Sequence, residues 1–196
     1  MLGTLSAELP AVSTTQADAT RPEQLKLLFE TAGPFTDLVV LVTGSAGAGP
    51  FATLDLQTLS SAIAAKTIAQ LAVAQAALPY LSIDGSITFV TAASARSALP
   101  GTAGLAAVNG AIEAAVPPLA VELAPRRVNA VSPGVVSTGW WDSFGDQRDT
   151  VLRGFAEQLP VRRVGTDADI AQAIELMVTG GFITGSILEV DGGGHL

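Results

Sequence analysis

The chain alternates short β-branched runs with longer segments rich in alanine and leucine. Apolar, β-branched positions cluster at 12–16, 38–43, 86–91, 128–132 and 187–191, and each run has the length of a strand. Between them, apolar positions recur at helical spacing over 22–31, roughly 56–81, 103–123, 150–158 and 167–179. Pro22 followed by Glu23 suits a first helical turn, with Thr20 placed to cap it. Thr166 or Asp167 can cap the last helix, and Gly180 with Gly181 can end it. Pro117 and Pro118 fall inside 103–123, where proline removes a helix hydrogen bond and crowds the preceding turn, so a kink or a break is expected there.

Continuously apolar strands such as LVVLV are stable only when helices cover both faces of their sheet. Strands separated by helices then read as a mostly parallel sheet, and right-handed crossovers make it a Rossmann-like, doubly wound α/β fold, one domain over 1–196. Ligands in such sheets bind beyond the carboxyl ends of the strands. That gathers the turns 43–49, 91–97, 132–138 and, more distantly, 191–194 around one crevice.

Composition narrows the chemistry. The 196 residues are 48% hydrophobic and 14% charged, which excludes disorder over most of the length. Cysteine is absent, so disulfides, zinc–thiolate sites, iron–sulfur clusters and a cysteine nucleophile are excluded together. The single histidine, His195, leaves almost no material for a histidine metal cage or a Ser-His-Asp triad, and no metal is expected. A net charge of −8 argues against a nucleic-acid partner and against an anionic membrane surface. No run of about 18 uninterrupted apolar residues occurs. The first 20 residues lack the basic start and apolar core of a signal peptide, and a cytoplasmic protein is expected.

Gly44, Gly47 and Gly49 follow the 38–43 run and could let a phosphate approach backbone N–H groups. The context favours a plain strand-to-helix connection instead. Pro50 and Phe51 come next, the helical pattern resumes only near Leu56, and no acidic residue ends a following strand about 20 residues on.

From Asp18 onward the chain resembles the short-chain dehydrogenase/reductase family. The likeness rests on GPFTDLVVLVTG (33–44), GSITFVTAASA (85–95), GTAGLAAVNGAIEA (101–114), RVNAVSPGVVSTG (127–139) and FITGSILEVDGGG (182–194), which stand in the family's order. The resemblance implies an oxidoreductase using NAD or NADP on a small carbonyl or alcohol substrate. It also implies that the family's first two strands, which hold the adenosine and pyrophosphate, are not in this sequence, because 1–10 already resembles the end of the helix after the second strand. Met1 as an internal start, with a nucleotide-binding half upstream, is one consequence considered. The incomplete sheet then leaves the 38–43 edge open, and self-association (a dimer or tetramer) through that edge or through 56–81 and 103–123 is expected.

Aligned with the family, the catalytic tyrosine falls at Leu105, the lysine at Asn109 and the serine at Ala92, with Thr91 and Ser94 beside it. The family's helical asparagine falls at Lys66, as though asparagine and lysine had changed places. Lys66 in its apolar run is either an acid or base with a lowered pKa or a side chain that snorkels to solvent. Gly44, Pro133, Gly134, Val136 and Thr138 are the cofactor-facing candidates. Ser132 belongs to the same loop, and Asn129 is read as supporting its strand. Trp140, Trp141 and Phe144 lie where relatives carry a substrate lid, and 191–194 reads as a tight turn. Three functions follow: a family member with weak or no hydride transfer, an active divergent reductase using Thr91, Ser94, Lys66 and the 132–138 loop, with Asn109 a further catalytic candidate, or a non-catalytic interaction or regulatory subunit.

Overall fold

The computed structural model describes residues 12–44 and 46–196. Helix α1 (Pro22–Ala32) leads into strand β1 (Phe35–Val40). Next come α2 (Leu56–Ala62), a π-helical turn (Ile63–Ile68) and α3 (Ala69–Ala77), which together form one rod. Strand β2 (Leu81–Val90), helix α4 (Ala103–Glu122) and strand β3 (Arg127–Pro133) follow. A 3-10 segment (Gly139–Gln147), helices α5 (Arg148–Gln158) and α6 (Asp167–Thr179), and strand β4 (Ile187–Val190) complete the chain.

Four parallel strands in the order β1-β2-β3-β4 make the sheet, and helices cover both of its faces. Alternation along the strands creates two separate cores. Ile87, Phe89, Val128 and Ala130 join Ala74, Ile112 and Val116 on the α3–α4 face. Val131 meets Ala173 and Met177 of α6 on the other. The α/β reading therefore holds, and among the described residues the strand order runs one way.

Local signals placed some ends well. Thr166 caps α6 through a reciprocal pair with Asp169, and Gly180 closes it. Elsewhere tertiary pairing overrode the pattern. Residues 12–16 form no strand: a strand exists only where a neighbour takes its backbone groups, and none of the four strands pairs with this segment. The 38–43 run slides back to Phe35–Val40, so Leu41 is 59% exposed, because the last pairing with β2 joins Val40 to Phe89. Arg21 occupies the N-cap of α1 while Thr20 bonds Asp18 instead, so Thr20 is not the cap. Helix α4 runs through Pro117 and Pro118 without a break, contrary to expectation. Packing supplies the reason: the face with Val116 and Ala120 is buried against the sheet core, which holds the helix together where two N–H groups are missing. By length and composition α4 could cross a membrane. Here it is the core helix, and it buries Asn109 and Glu113 as well as apolar groups. The expected resemblance over 1–10 lies outside the described residues.

Candidate functional site

Parallel pairing brings the carboxyl ends of all four strands to one side. Neighbouring segments touch there: Gly49 N–H donates to Gly101 O (2.9 Å), and Gly134 N–H donates to Val190 O (3.0 Å).

Two polar clusters lie under this rim, both anchored on α4. The first centres on Glu113, which is 6% exposed. Its Oε1 accepts from Thr91 Oγ1 (2.7 Å) and Ser132 Oγ (2.8 Å), and its Oε2 pairs with Arg96 (3.4 Å). Arg96 continues to Glu189 (3.1 Å), whose other oxygen lies 2.9 Å from His195 Nδ1. His195 Nδ1 also meets Asp191 Oδ2 at 2.9 Å. Hydrogen bonds to a buried carboxylate satisfy charge and hydroxyls together, so this cluster is a brace across β2, β3, β4 and α4. Thr91, a catalytic candidate, is spent in it.

The second cluster holds the other candidates. Thr67 Oγ1 donates to Val108 O (2.7 Å), clasping the π turn to α4 and setting Lys66 and Asn109 on adjoining turns. Asn109 Nδ2 donates to Ser94 Oγ (3.2 Å) and Leu105 O (3.0 Å), while its Oδ1 is enclosed with no hydrogen-bond partner among the described residues. Lys66 is 6% exposed, so it does not snorkel, and it makes no hydrogen bond or ion pair with the described residues. Burial pushes its ammonium below the ordinary lysine value, because a low-dielectric surrounding disfavours the charged form. Gln70, fully buried, donates Nε2 to Val42 O (2.8 Å) and Val90 O (3.0 Å), just past the last β1–β2 pair.

Glu113, Arg96 and Gln70 escaped the sequence reading. Glu113 carried one faint signal: it is an acid in the middle of an apolar helical run, one turn beyond Asn109. Asn129 does support its strand, donating to Ile183 O (2.9 Å) and accepting from Ser186 N–H (3.1 Å). The 191–194 turn forms as expected, with Gly194 N–H donating to Asp191 O (3.2 Å). Trp140 and Trp141 meet edge to face at 4.6 Å, and Trp141 Nε1 donates to Val136 O (2.8 Å). That bond ties the aromatic segment to the 133–138 loop.

A family model described as Enoyl-(Acyl carrier protein) reductase matches residues 2–195. The chain belongs to the short-chain dehydrogenase/reductase family. Short-chain dehydrogenase/reductase ucsE of Acremonium sp is 34% identical over 131 residues, covering 65% of this chain and 50% of its own length. Short-chain dehydrogenase/reductase ATR9 of Stachybotrys chlorohalonatus is 30% identical over 85% of this chain and 66% of its own. Oxidoreductase MT0954 of Mycobacterium tuberculosis is 31% identical over 92% and 72%. The chain thus spans half of the first of these relatives and about two thirds to three quarters of the others. A crystal structure of a small-chain dehydrogenase in complex with NADPH superimposes with a TM-score of 0.88 at 34% identity, covering 92% of this chain and 83% of that one.

The family implies a nicotinamide dinucleotide, and the two loops that the resemblance turns toward it are held differently. The 133–138 loop is well held. A Cβ on Gly134 would lie 2.6 Å from Asp191, Val136 bridges Gly165, and Thr138 Oγ1 accepts from Trp140 N–H (3.4 Å). Pro133, where the loop begins, is the last residue of β3. The glycine loop is different. A Cβ on Gly104 would sit 2.3 Å from Gly47 O, so these glycines are used for backbone contact between loop and helix. Gly44 is exposed, and a Cβ added to it would meet nothing within 4 Å among the described residues beyond its chain neighbours. The N–H groups of Gln57 and Thr58, which open α2, already hold the Asp55 carboxylate (both 3.1 Å). The described residues do not build a pyrophosphate cradle.

Proposed function

We propose that this family member carries out weak or no NAD(P)-dependent hydride transfer. General acid–base work on a carbonyl needs a titratable group within hydrogen-bond reach of its oxygen. Leucine stands at position 105, where the resemblance puts the tyrosine, and cannot supply one. The observation that carries the proposal is Asn109 at the lysine position. Its amide is tied to Ser94 and to the Leu105 carbonyl, where an ammonium would be needed to acidify a phenol. Thr91, the hydroxyl nearest the serine position, is bonded to Glu113. A small carbonyl or alcohol remains the substrate class proposed for any residual activity, with NADP favoured over NAD on the NADPH-bound relative.

Titration with NADPH and NADH, followed by nicotinamide fluorescence and thermal shift, tests this. No binding tighter than about 100 μM is expected, since such binding would add stabilisation growing with ligand concentration. A rising melting temperature at micromolar NADPH together with carbonyl-dependent oxidation would overturn it.

We further propose a cytoplasmic protein that self-associates. Val39 (40% exposed) and Leu41 leave an apolar edge at β1, and open edges recruit a neighbour. A monodisperse monomer by light scattering at micromolar concentration counts against this.

A further inference from the structure

We propose that Glu189, Asp191 and His195 form a binding site for a divalent transition-metal ion, zinc above all, at the carboxyl end of β4. One donor atom from each side chain lies within 4.8 Å of the other two. A single histidine read along the chain gives no reason to expect a metal, but the fold adds two carboxylates to it. None of the three residues stands at a hydride-transfer position of the family resemblance.

Local structure builds the set. Residues two apart along an extended segment point the same way, which sets Glu189, on β4, beside Asp191, just past its end. Gly192 (φ 66°) and Gly193 (φ 84°) then turn the chain through the left-handed region that glycine enters freely. That turn returns His195 to Asp191, four residues back. His195 Nδ1 lies 2.9 Å from Glu189 Oε2 and 2.9 Å from Asp191 Oδ2.

Each carboxylate presents one oxygen to the imidazole and has the other held from behind. Arg96 Nη1 pairs with Glu189 Oε1 (3.1 Å), and Gly193 N–H donates to Asp191 Oδ1 (2.9 Å). Outer partners of this kind orient the ligands of a metal. One imidazole nitrogen cannot serve both presented oxygens. Nδ1 carries at most one hydrogen, so one oxygen always faces it without a full hydrogen bond. A metal ion takes the Nδ1 lone pair and both oxygens at once. The spacing fits, because donors about 2.1 Å from one ion and at right angles are about 3.0 Å apart.

Charge points the same way. Glu113, Glu189 and Asp191 share one network with a single guanidinium, that of Arg96, and a divalent cation offsets the two carboxylates left over. Imidazole nitrogen combined with carboxylate oxygen favours zinc over magnesium and calcium, which take oxygen ligands. Asp191 is the buried floor of the site, and the half-exposed His195 is its solvent side, where water completes the coordination.

The chain's only histidine makes the test direct. Zinc chloride is titrated into the untagged full chain after dialysis against EDTA, while the nitrogen-15 resonances of the His195 ring are followed. One ion per chain is expected, with micromolar affinity and a displaced Nδ1 signal. Asp191→Asn and His195→Ala are each expected to weaken binding at least about tenfold with an unchanged circular dichroism spectrum. Absence of saturation at about 100 μM zinc overturns the proposal. An Nδ1 signal that stays in place while zinc binds does so too, as does unaltered affinity in either variant. Magnesium at the same concentration is expected to leave the ring signals where they are. An equal response to magnesium would mark a site of carboxylates alone and overturn the role given to His195.

Discussion

Helix α4 anchors two buried polar clusters that differ in one respect. Around Glu113 every group has a partner: two hydroxyls and a guanidinium converge on one carboxylate. Around Lys66 and Asn109 the groups are equally buried, yet among the described residues Asn109 Oδ1 accepts no hydrogen bond and Lys66 has no ion pair. Equal burial goes with complete pairing in one cluster and incomplete pairing in the other. A satisfied cluster stiffens the fold, whereas an unsatisfied one costs stability and persists where it has another use.

The largest test of this contrast is Glu113→Ala. It strands Thr91, Ser132 and Arg96 at once, and a loss of about 3 kcal/mol is expected from urea unfolding. A loss under about 1 kcal/mol would mean that the brace is not structural. Lys66→Met should move the other way, gaining about 1 kcal/mol, because it removes an uncompensated buried charge while keeping the volume. The same substitution has a pH signature. The Lys66 pKa is lower in the folded chain than its ordinary 10.5, so between the two values the unfolded chain binds more protons. Wild-type stability therefore rises with pH across that window, and Lys66→Met should flatten the rise. Chemical denaturation at several alkaline pH values reads this directly.

Smaller effects sharpen the comparison. Thr91→Val removes one of the donors to Glu113 and should cost about 1 kcal/mol by thermal melting. Asn109→Leu loses bonds to Ser94 and Leu105 O but also discards an orphan acceptor, so the net change should stay within about 0.5 kcal/mol. A cost equal to that of Glu113→Ala would erase the distinction between the clusters.

The ends of helix α6 were legible from its letters to within a residue, because Thr166 and Gly180 act at them, whereas the reciprocal bond from Asp169 emerged from the structure. The layered α/β order, the crevice at the strand ends and the family motifs were equally visible, since periodicity and local spacing carry them. Other features were not. The end of β1 depends on how far β2 pairs with it, and the continuity of α4 through two prolines depends on the core behind it. The brace joins Thr91, Arg96, Glu113, Ser132 and Glu189, positions up to 98 residues apart that no local pattern connects.

Sequence by itself determined the alternation of helical and strand segments over most of the chain, how the ends of α6 are closed, and which side chains stand where the resemblance puts the family's tyrosine, lysine and serine. Only the tertiary structure decided which buried polar groups are paired and which are left alone. Propensity and capping are properties of neighbours along the chain. Hydrogen-bond satisfaction in an interior without water is a property of neighbours in space.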